Sequence, residues 1–399
     1  MTALTPTQPT LDAAAVRRWR EEFPILATST YMVSHSLGAM PRGVAPALAG
    51  YANTWATRGV RAWHEGWWEM PVTVGDIIGS IIGAAPGEVV CHQNVSVCQS
   101  IVNSCLDFTG ERNTIITDGL NFPSNDYLYG ELHRRGARVV SVPSRDGMTV
   151  TLDDMLAALD STAERTRLVS LSHVAFRSSA VQDLKAITER AHDVGAMVVA
   201  DLYQSAGILP VNVRELNVDF ATGGSVKWLL GGPGVGYLYV RRDLWPQLRP
   251  MNTGWQAHRE PFAFAPAPID FAPDAFRFLS GTPNIPALYA AQVGYNIVAE
   301  IGVRAIRARS IHLTERLIAN ADAAGIPIRS QRNPAQRGGV VVIAVPDDQG
   351  AHLVAELDKR GIVIDHRPGA GLRIAPHFYS TEDEIDFTTA ELAKLLHAS

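Results

Sequence analysis

Cysteine is scarce in this chain: three residues, Cys91, Cys98 and Cys105, among 399. An odd count argues against a disulfide framework, and a spacing of seven fits no zinc-ligand pattern, so no metal is expected. The even spacing can set all three on one helix face, which reads as packed core thiols. Charge of either sign is in short supply too. A net charge of −5 and a pI near 6.2 leave no basic footprint for nucleic acid and no polybasic membrane anchor. Apolar residues make up 46%, yet none of their runs reaches the roughly 20 residues of a membrane helix. The start, MTALTPTQPTLDAAA, lacks a basic region followed by an apolar one, so no signal peptide is expected and the cytoplasm is the default. No internal repeat or low-complexity linker stands out.

What is present is alternation. Short apolar runs at 88–93, 113–118, 137–143, 168–174, 196–202 and 236–242 read as strands. Helical patterns such as LDDMLAALD and DLKAITERAHDVG separate them, the second ending on a glycine stop. Nearly continuous apolar strands alternating with helices predict an α/β fold with a mainly parallel sheet covered on both faces. A long helical stretch from about 285 leads to a second, smaller α/β unit with strands in GGVVVIAV and GIVIDHRP. The expected division is an N-terminal arm over 1–30 that joins the small unit, a large domain over 31–285 and a small C-terminal domain over 286–399. The proline- and aromatic-rich segment 260–276 reads as a long functional loop.

Two residues carry the chemistry. Asp201 ends the apolar run AMVVAD, and Lys227 comes after a further strand in SVKWLLGGPGVGYLYV. A lone lysine is ordinarily a solvated surface charge and a lone aspartate a helix cap. Here the lysine lies in an apolar, glycine-rich setting that lowers an amine's pKa and makes it nucleophilic. An amine to hold an aldehyde, with a carboxylate to keep a pyridine nitrogen protonated, is what pyridoxal 5′-phosphate requires. Lys227 and Asp201 are therefore the expected catalytic pair and the first cofactor ligands.

Other candidates collect around them. Asn94, Val95 and Ser96 come directly after a strand and open a helix, a natural phosphate cradle, although an ordinary Asn cap reads the same way. Ser225 is a second possible phosphate donor. GGPGVG (231–236) runs into a strand rather than a helix, which removes the dinucleotide-binding reading. Phe122, in NFPSNDY, can stack on a pyridine face. Gln204 can reach the cofactor's phenolic oxygen, and His173 leaves a strand toward the same edge, as does Arg177. Arg373, on an apolar strand in GLRIAPHFYSTEDEI, must face an anion; a substrate carboxylate and an internal salt bridge are the two choices. Trp63, Trp67, Phe122, Trp255 and the 260–276 loop, with His258, are expected to wall the pocket, dimer-interface core being the bland alternative for the aromatics.

Together these residues resemble the class V, fold type I, pyridoxal-phosphate enzymes, among them kynureninases, cysteine desulfurases, isopenicillin N epimerase-like proteins and carbon–sulfur lyases. The resemblance covers nearly the whole chain. It is carried by SHSLGAMPR, WHEGWWEMPVTVGDIIGSIIGAAPGEVV, NFPSNDY, TGWQAHREPFAF and LSGTP, all most like kynureninase. It implies an aspartate-aminotransferase-like fold and a homodimer with the active site at the interface, Trp255 and Thr282 reaching the partner's cofactor. Arg373, Asn125 and His35 are expected on the substrate side. The departures bear on the reaction. Kynureninases carry a tyrosine just before the lysine, where Val226 stands here, a histidine at Gln204 and an aspartate at Asn125. Desulfurases need a cysteine on a C-terminal loop, and here every cysteine precedes residue 106. The expected function is β-elimination from a β-substituted L-amino acid such as a cysteine S-conjugate. Kynureninase-type hydrolysis is the alternative, with epimerisation, transamination or decarboxylating oxidative deamination behind it. A regulatory, non-enzymatic role would call for a basic helix-turn-helix unit, which residues 1–30 are too short to hold.

Overall fold

The computed structural model describes residues 11–397. A short strand, β1 (Thr30–Tyr31), comes first. Seven strands then build the central sheet: β2 (Val89–His92), β3 (Thr114–Asp118), β4 (Arg138–Val142), β5 (Thr166–Ser172), β6 (Met197–Asp201), β7 (Phe220–Gly224) and β8 (Gly236–Val240). Their spatial order is β2-β8-β7-β6-β5-β3-β4. Neighbours from β4 through β7 are parallel, while β8 runs antiparallel to both β7 and β2. Every residue of β2, β3, β7 and β8 is buried, because helices cover both faces; hence the unbroken apolar runs in the sequence. At the edge, β4 exposes Arg138, Val139 and Ser141.

The chain leaves β3 outward to β4 and then crosses back to β5 on the other side of β3. Such a reversal opens a crevice beyond the carboxyl ends of the strands, where ligands bind in open α/β sheets. Asp118, Ser172, Asp201 and Gly224 are the last residues of β3, β5, β6 and β7, and all lie at that edge.

A smaller sheet of β9 (Val341–Ile343), β11 (Asp365–Arg367) and β12 (Gly371–Ile374) is antiparallel in the order β11-β12-β9, and β10 (Ile362–Val363) pairs with β1 instead. Helices Asp347–Asp358 and Glu382–His397 accompany it, around a core that includes Leu313, Leu317, Ile343, Leu372, Ile385 and Leu392. The helix Ala13–Arg20, capped by Asp12, is tied to this unit by Arg20, which grips Glu384 at 2.6 and 2.9 Å and donates to the Tyr379 carbonyl. Residues 1–10 of the expected N-terminal arm lie outside the described residues. The division at 30 and 285 stands as a proposal. Helix Ile285–Ile301, placed at the head of the second unit by that division, packs against Val44–Arg58 and Met70–Ile82 beside the large sheet.

One local expectation is corrected and another is refined. Cys91 lies on β2 and not on a helix with Cys98 and Cys105, because its neighbours complete a buried strand before Asn94 caps the next helix. The long stretch from 285 is two helices, Ile285–Ile301 and Val303–Ala323, broken at Gly302 with φ +83°. No helix among the described residues is long and apolar enough to cross a membrane.

Helix Met70–Ile82 meets β2 almost backbone to backbone at Gly75, where a Cβ would lie 2.2 Å from the Val89 carbonyl oxygen. Gly75→Ala should therefore lower unfolding stability by about 1–3 kcal/mol. An unchanged urea midpoint would show that the helix can slide away without loss.

Candidate active site

Only four lysines occur in the whole chain. Lys185, Lys359 and Lys394 are exposed, and each pairs with a glutamate one helical turn away, at 2.9, 2.6 and 2.6 Å. Lys227 is half-buried and has no carboxylate at ion-pair distance among the described residues. Its ammonium instead lies 4.4 Å from the centre of the Tyr203 ring and 5.7 Å from that of Phe122. The turn that delivers it begins as β7 ends and closes through Gly231 N–H to the Ser225 carbonyl (2.9 Å) and Ser225 N–H to Val235 (3.1 Å). Loss of water lowers the Lys227 pKa to about 8. The Asp201 charge opposes that shift, Arg373 and Arg367 reinforce it, and Asp365 opposes it in turn.

Asp201 is buried at the end of β6, and burial raises its pKa. Its carboxyl group accepts from Asn125 Nδ2 at 2.9 Å and from the Tyr203 N–H at 2.8 Å. Asn125 also donates to Asn121 Oδ1 (3.0 Å), and Asn121 donates to Thr117 Oγ1 (2.9 Å), so the carboxylate's direction is fixed by a chain of side chains. Asn125 thus serves Asp201 in this structure; its Oδ1 has no partner among the described residues. His173, on the segment leaving β5, donates its backbone N–H to the Asp201 carbonyl at 2.9 Å. Burial lowers its imidazole pKa to about 4, so the ring is neutral, and Nδ1 lacks a partner among the described residues.

The helix Val95–Ser104 begins beside this pair. Asn94 caps it by accepting from Val97 N–H at 3.0 Å, leaving the Val95 and Ser96 N–H groups without helical partners. A Cβ on Gly236 would stand 2.5 Å from the Asn94 carbonyl carbon, so the missing side chain keeps the cradle open. Ser225 differs from expectation: its hydroxyl donates to the Gly232 and Val235 carbonyls at 2.6 and 2.9 Å and braces the glycine turn.

Three further residues are engaged with their own chain. Gln204 donates to the His35 carbonyl (3.1 Å) and accepts from the Trp228 indole (3.1 Å), locking the residue beside Lys227. Arg373 is held bidentately by Asp365, at 2.8 and 2.5 Å, and donates to the Phe176 carbonyl at 2.6 Å, so its carboxylate partner in this structure is internal. His35 shares that partner, 3.1 Å from Asp365 Oδ1, and burial brings its own pKa to about 4. Phe122 is 42% exposed and meets Phe176 edge-on at 5.2 Å, which leaves a ring face accessible beside the amine.

The aromatic wall divides. Trp67 is core: it stacks on Tyr51 at 5.4 Å and donates to the Tyr289 hydroxyl. Trp63, Trp255 and Thr282 line a separate cleft of about 260 Å3 together with Trp68, His64 and Phe262. His258 accepts from the Glu260 N–H, and Arg177 lies over Phe176. The sequence reading missed Tyr203, Asp365 and Asp118. Asp118 is buried and pushed up to about 6, and it takes the Leu120 and Ser172 N–H groups at the end of β3. Tyr203 was legible in DLYQ, two residues beyond Asp201 on the same strand end. The pairing of Asp365 with Arg373 comes from two adjacent antiparallel strands, a register that only the fold displays.

With its pKa near 8, Lys227 should capture an aldehyde at a rate that rises with pH to a plateau above about 8, since the neutral amine is the nucleophile. Reconstitution of cofactor-free protein with pyridoxal 5′-phosphate across pH 6–10 would read this out. A midpoint near the ordinary lysine value of about 10.4 would show that the amine is solvated.

An enclosed amine without an ion pair, a buried carboxylate and an open helix terminus fit pyridoxal 5′-phosphate. Comparison with known proteins agrees. Residues 36–386 match the model of the family described as aminotransferase class-V. An uncharacterized aminotransferase, YcbU, of Bacillus subtilis (strain 168) is 31% identical over 95% of this chain and 98% of its own. A kynureninase of Burkholderia pseudomallei (strain 1106a) is 30% identical over 89% of this chain and 86% of its own. Among solved structures, an apo cysteine desulfurase from Thermococcus onnurineus NA1 superposes with a TM-score of 0.84 at 22% identity, covering 96% of this chain and 98% of that one. The cystine C–S lyase C-DES, in complex with its product cysteine persulfide, does so at 0.83 and 21%, covering 93% and 99%. These likenesses give the fold as type I. The chain belongs to the class-V aminotransferase family, and its cofactor is pyridoxal 5′-phosphate.

Proposed function

We propose that the protein is a lyase that cleaves the C–S bond of a cysteine S-conjugate, or of a similarly β-substituted L-amino acid, by Cα deprotonation and β-elimination. The observation that carries this reading is the Lys227 amine, half-buried, unpaired and with its pKa lowered to about 8, in a chain without the tyrosine of kynureninases before the lysine and without the C-terminal cysteine of desulfurases. Val226 stands where kynureninases have a proton-handling tyrosine. Burial pushes the Cys105 thiol up to about 12 and raises Cys91 and Cys98 as well, so none is a ready persulfide carrier.

Bound at Lys227 and Asp201, pyridoxal 5′-phosphate supplies an electron-withdrawing ring that acidifies the substrate Cα–H. Asp201, fixed by Asn125 and the Tyr203 N–H, would keep a pyridine nitrogen protonated. Lys227, whose pKa is lowered to about 8, would take the Cα proton. The Cβ–S bond would break as that electron pair forms the Cα–Cβ double bond, releasing a thiolate, and water would convert the three-carbon fragment to pyruvate and ammonia. Arg373 is assigned to the substrate carboxylate. Three of its five N–H bonds are engaged by Asp365 and Phe176, which aims the guanidinium and leaves two for a ligand.

Kynureninase-type hydrolysis is the second reading, supported by the kynureninases at 30% identity. A homodimer in the cytoplasm completes the proposal, with Trp255 and Thr282 reaching the partner's site. Exposed Trp255, Phe262 and Phe264 support self-association, since a monomer seldom exposes such a cluster.

Incubation of the holoenzyme with L-kynurenine and S-substituted L-cysteines should give pyruvate, ammonia and thiol from the cysteines. Lys227→Ala should reduce that rate by about 10^4-fold or more. Alanine and anthranilate from kynurenine, with no pyruvate from any cysteine conjugate, would replace elimination by hydrolysis.

A further inference from the structure

The segment before Lys227 offers little to an anionic phosphate. Val226 has no polar side chain, the Ser225 hydroxyl hydrogen is turned to backbone carbonyls, and position 224 is glycine. That glycine has a specific occupant: a Cβ at Gly224 would lie 2.4 Å from both Cζ and the hydroxyl oxygen of Tyr203. The phenol therefore sits in the notch a side chain would fill.

The register of β7 and β8 says what lies next to it. Gly224 is paired directly with Gly236, and directly opposed residues of antiparallel strands project on the same face, their Cβ positions about 4.5–5.5 Å apart. Over Gly236 stands the Asn94 backbone, 2.5 Å from where its Cβ would be. The Tyr203 hydroxyl and the start of helix Val95–Ser104 are thus side by side above a pair of glycines. Cys98, in the first turn of that helix, is close enough to act on the Tyr203 phenol, and burial raises the phenol's pKa to about 12, which keeps the hydroxyl a donor. The hydroxyl makes no hydrogen bond among the described residues and is not sealed away, since Tyr203 is only partly buried, so it can donate to a ligand.

We propose that Tyr203 is a cofactor-binding residue whose hydroxyl donates a hydrogen bond to the phosphate of pyridoxal 5′-phosphate, beside the N–H groups of Val95 and Ser96. It supplies the donor that Val226 and Gly224 lack, while its ring lies against the Lys227 amine. Glycine at 224 is then a requirement of the tyrosine, since any side chain there would drive the phenol off the phosphate.

The inference rests on the cofactor assignment, and titration of cofactor-free protein with two probes keeps the two questions apart. Pyridoxal 5′-phosphate carries the phosphate and pyridoxal does not. Tyr203→Phe keeps the ring and removes the donor, so affinity for the phosphorylated probe should fall about tenfold or more, while affinity for pyridoxal stays unchanged. The phosphorus NMR resonance of the bound cofactor should move in the variant. Gly224→Ala, which retains the hydroxyl but fills its notch, should produce the same selective loss, and thermal melting of both cofactor-free variants confirms that they fold. Equal weakening of both probes, or no weakening of either, overturns the assignment. So does a Tyr203→Phe variant that loses turnover with an unmoved phosphorus signal. Failure of the wild-type protein to take up pyridoxal 5′-phosphate would instead sink the cofactor assignment itself.

Discussion

Taking the Lys227 ammonium out of water is unfavourable, and that one desolvation organises the site. Burial lowers the amine's pKa to about 8, with Asp201 opposing the shift from across the crevice and Arg373 and Arg367 reinforcing it, so the neutral form is far more accessible than in a solvated lysine. The surroundings preserve this balance. Tyr203 and Phe122 present ring faces to the amine, which can lie against it without neutralising it as a carboxylate would. The carboxylates close at hand have other partners: Asp201 has Asn125 and a backbone N–H, Asp365 has Arg373 and His35.

Much of the fold was legible because a sheet covered on both faces writes itself as unbroken apolar runs. The six strands read from sequence agree with β2 to β6 and β8 to within two residues at either end. The strand read ahead of Lys227 is β7, whose FATGG lacks branched aliphatic residues and is recognisable chiefly by the lysine turn at its end. Asp201 and Lys227 were readable for the same reason, since each stands where an apolar run stops. Pairing stayed hidden. Gln204 finds the His35 carbonyl 169 positions away, and Arg373 finds the Phe176 carbonyl 197 away. A residue type announces what it can bond, whereas the fold decides which partner arrives.

The same limit hid the internal partners of the candidate polar residues. Ser225, Asn94 and Gln204 each engage a neighbouring part of their own chain. Buried polar atoms left unpaired cost about 1–3 kcal/mol, so a ligand-binding edge is braced by internal hydrogen bonds before any ligand arrives. Trp67 shows the apolar counterpart: its place in a tryptophan-rich segment suggested a pocket wall, and it serves as core between Tyr51 and Tyr289.

Residues 30–38 join the two sheets by a rigid route. At one end β1 is paired with β10, Val33 is bridged to Ala375, and His35 is bonded to Asp365 of the small sheet. At the other end, Gly38 donates its N–H to the Val226 carbonyl at 2.6 Å and lies so close to the Lys227 carbonyl that a Cβ would come within 2.4 Å of it. This segment is a tie rod from the C-terminal unit to the backbone at Lys227. Any tilt of that unit, which carries Arg373, must also pull on the peptide that sets the amine's position, so the two side chains are mechanically coupled.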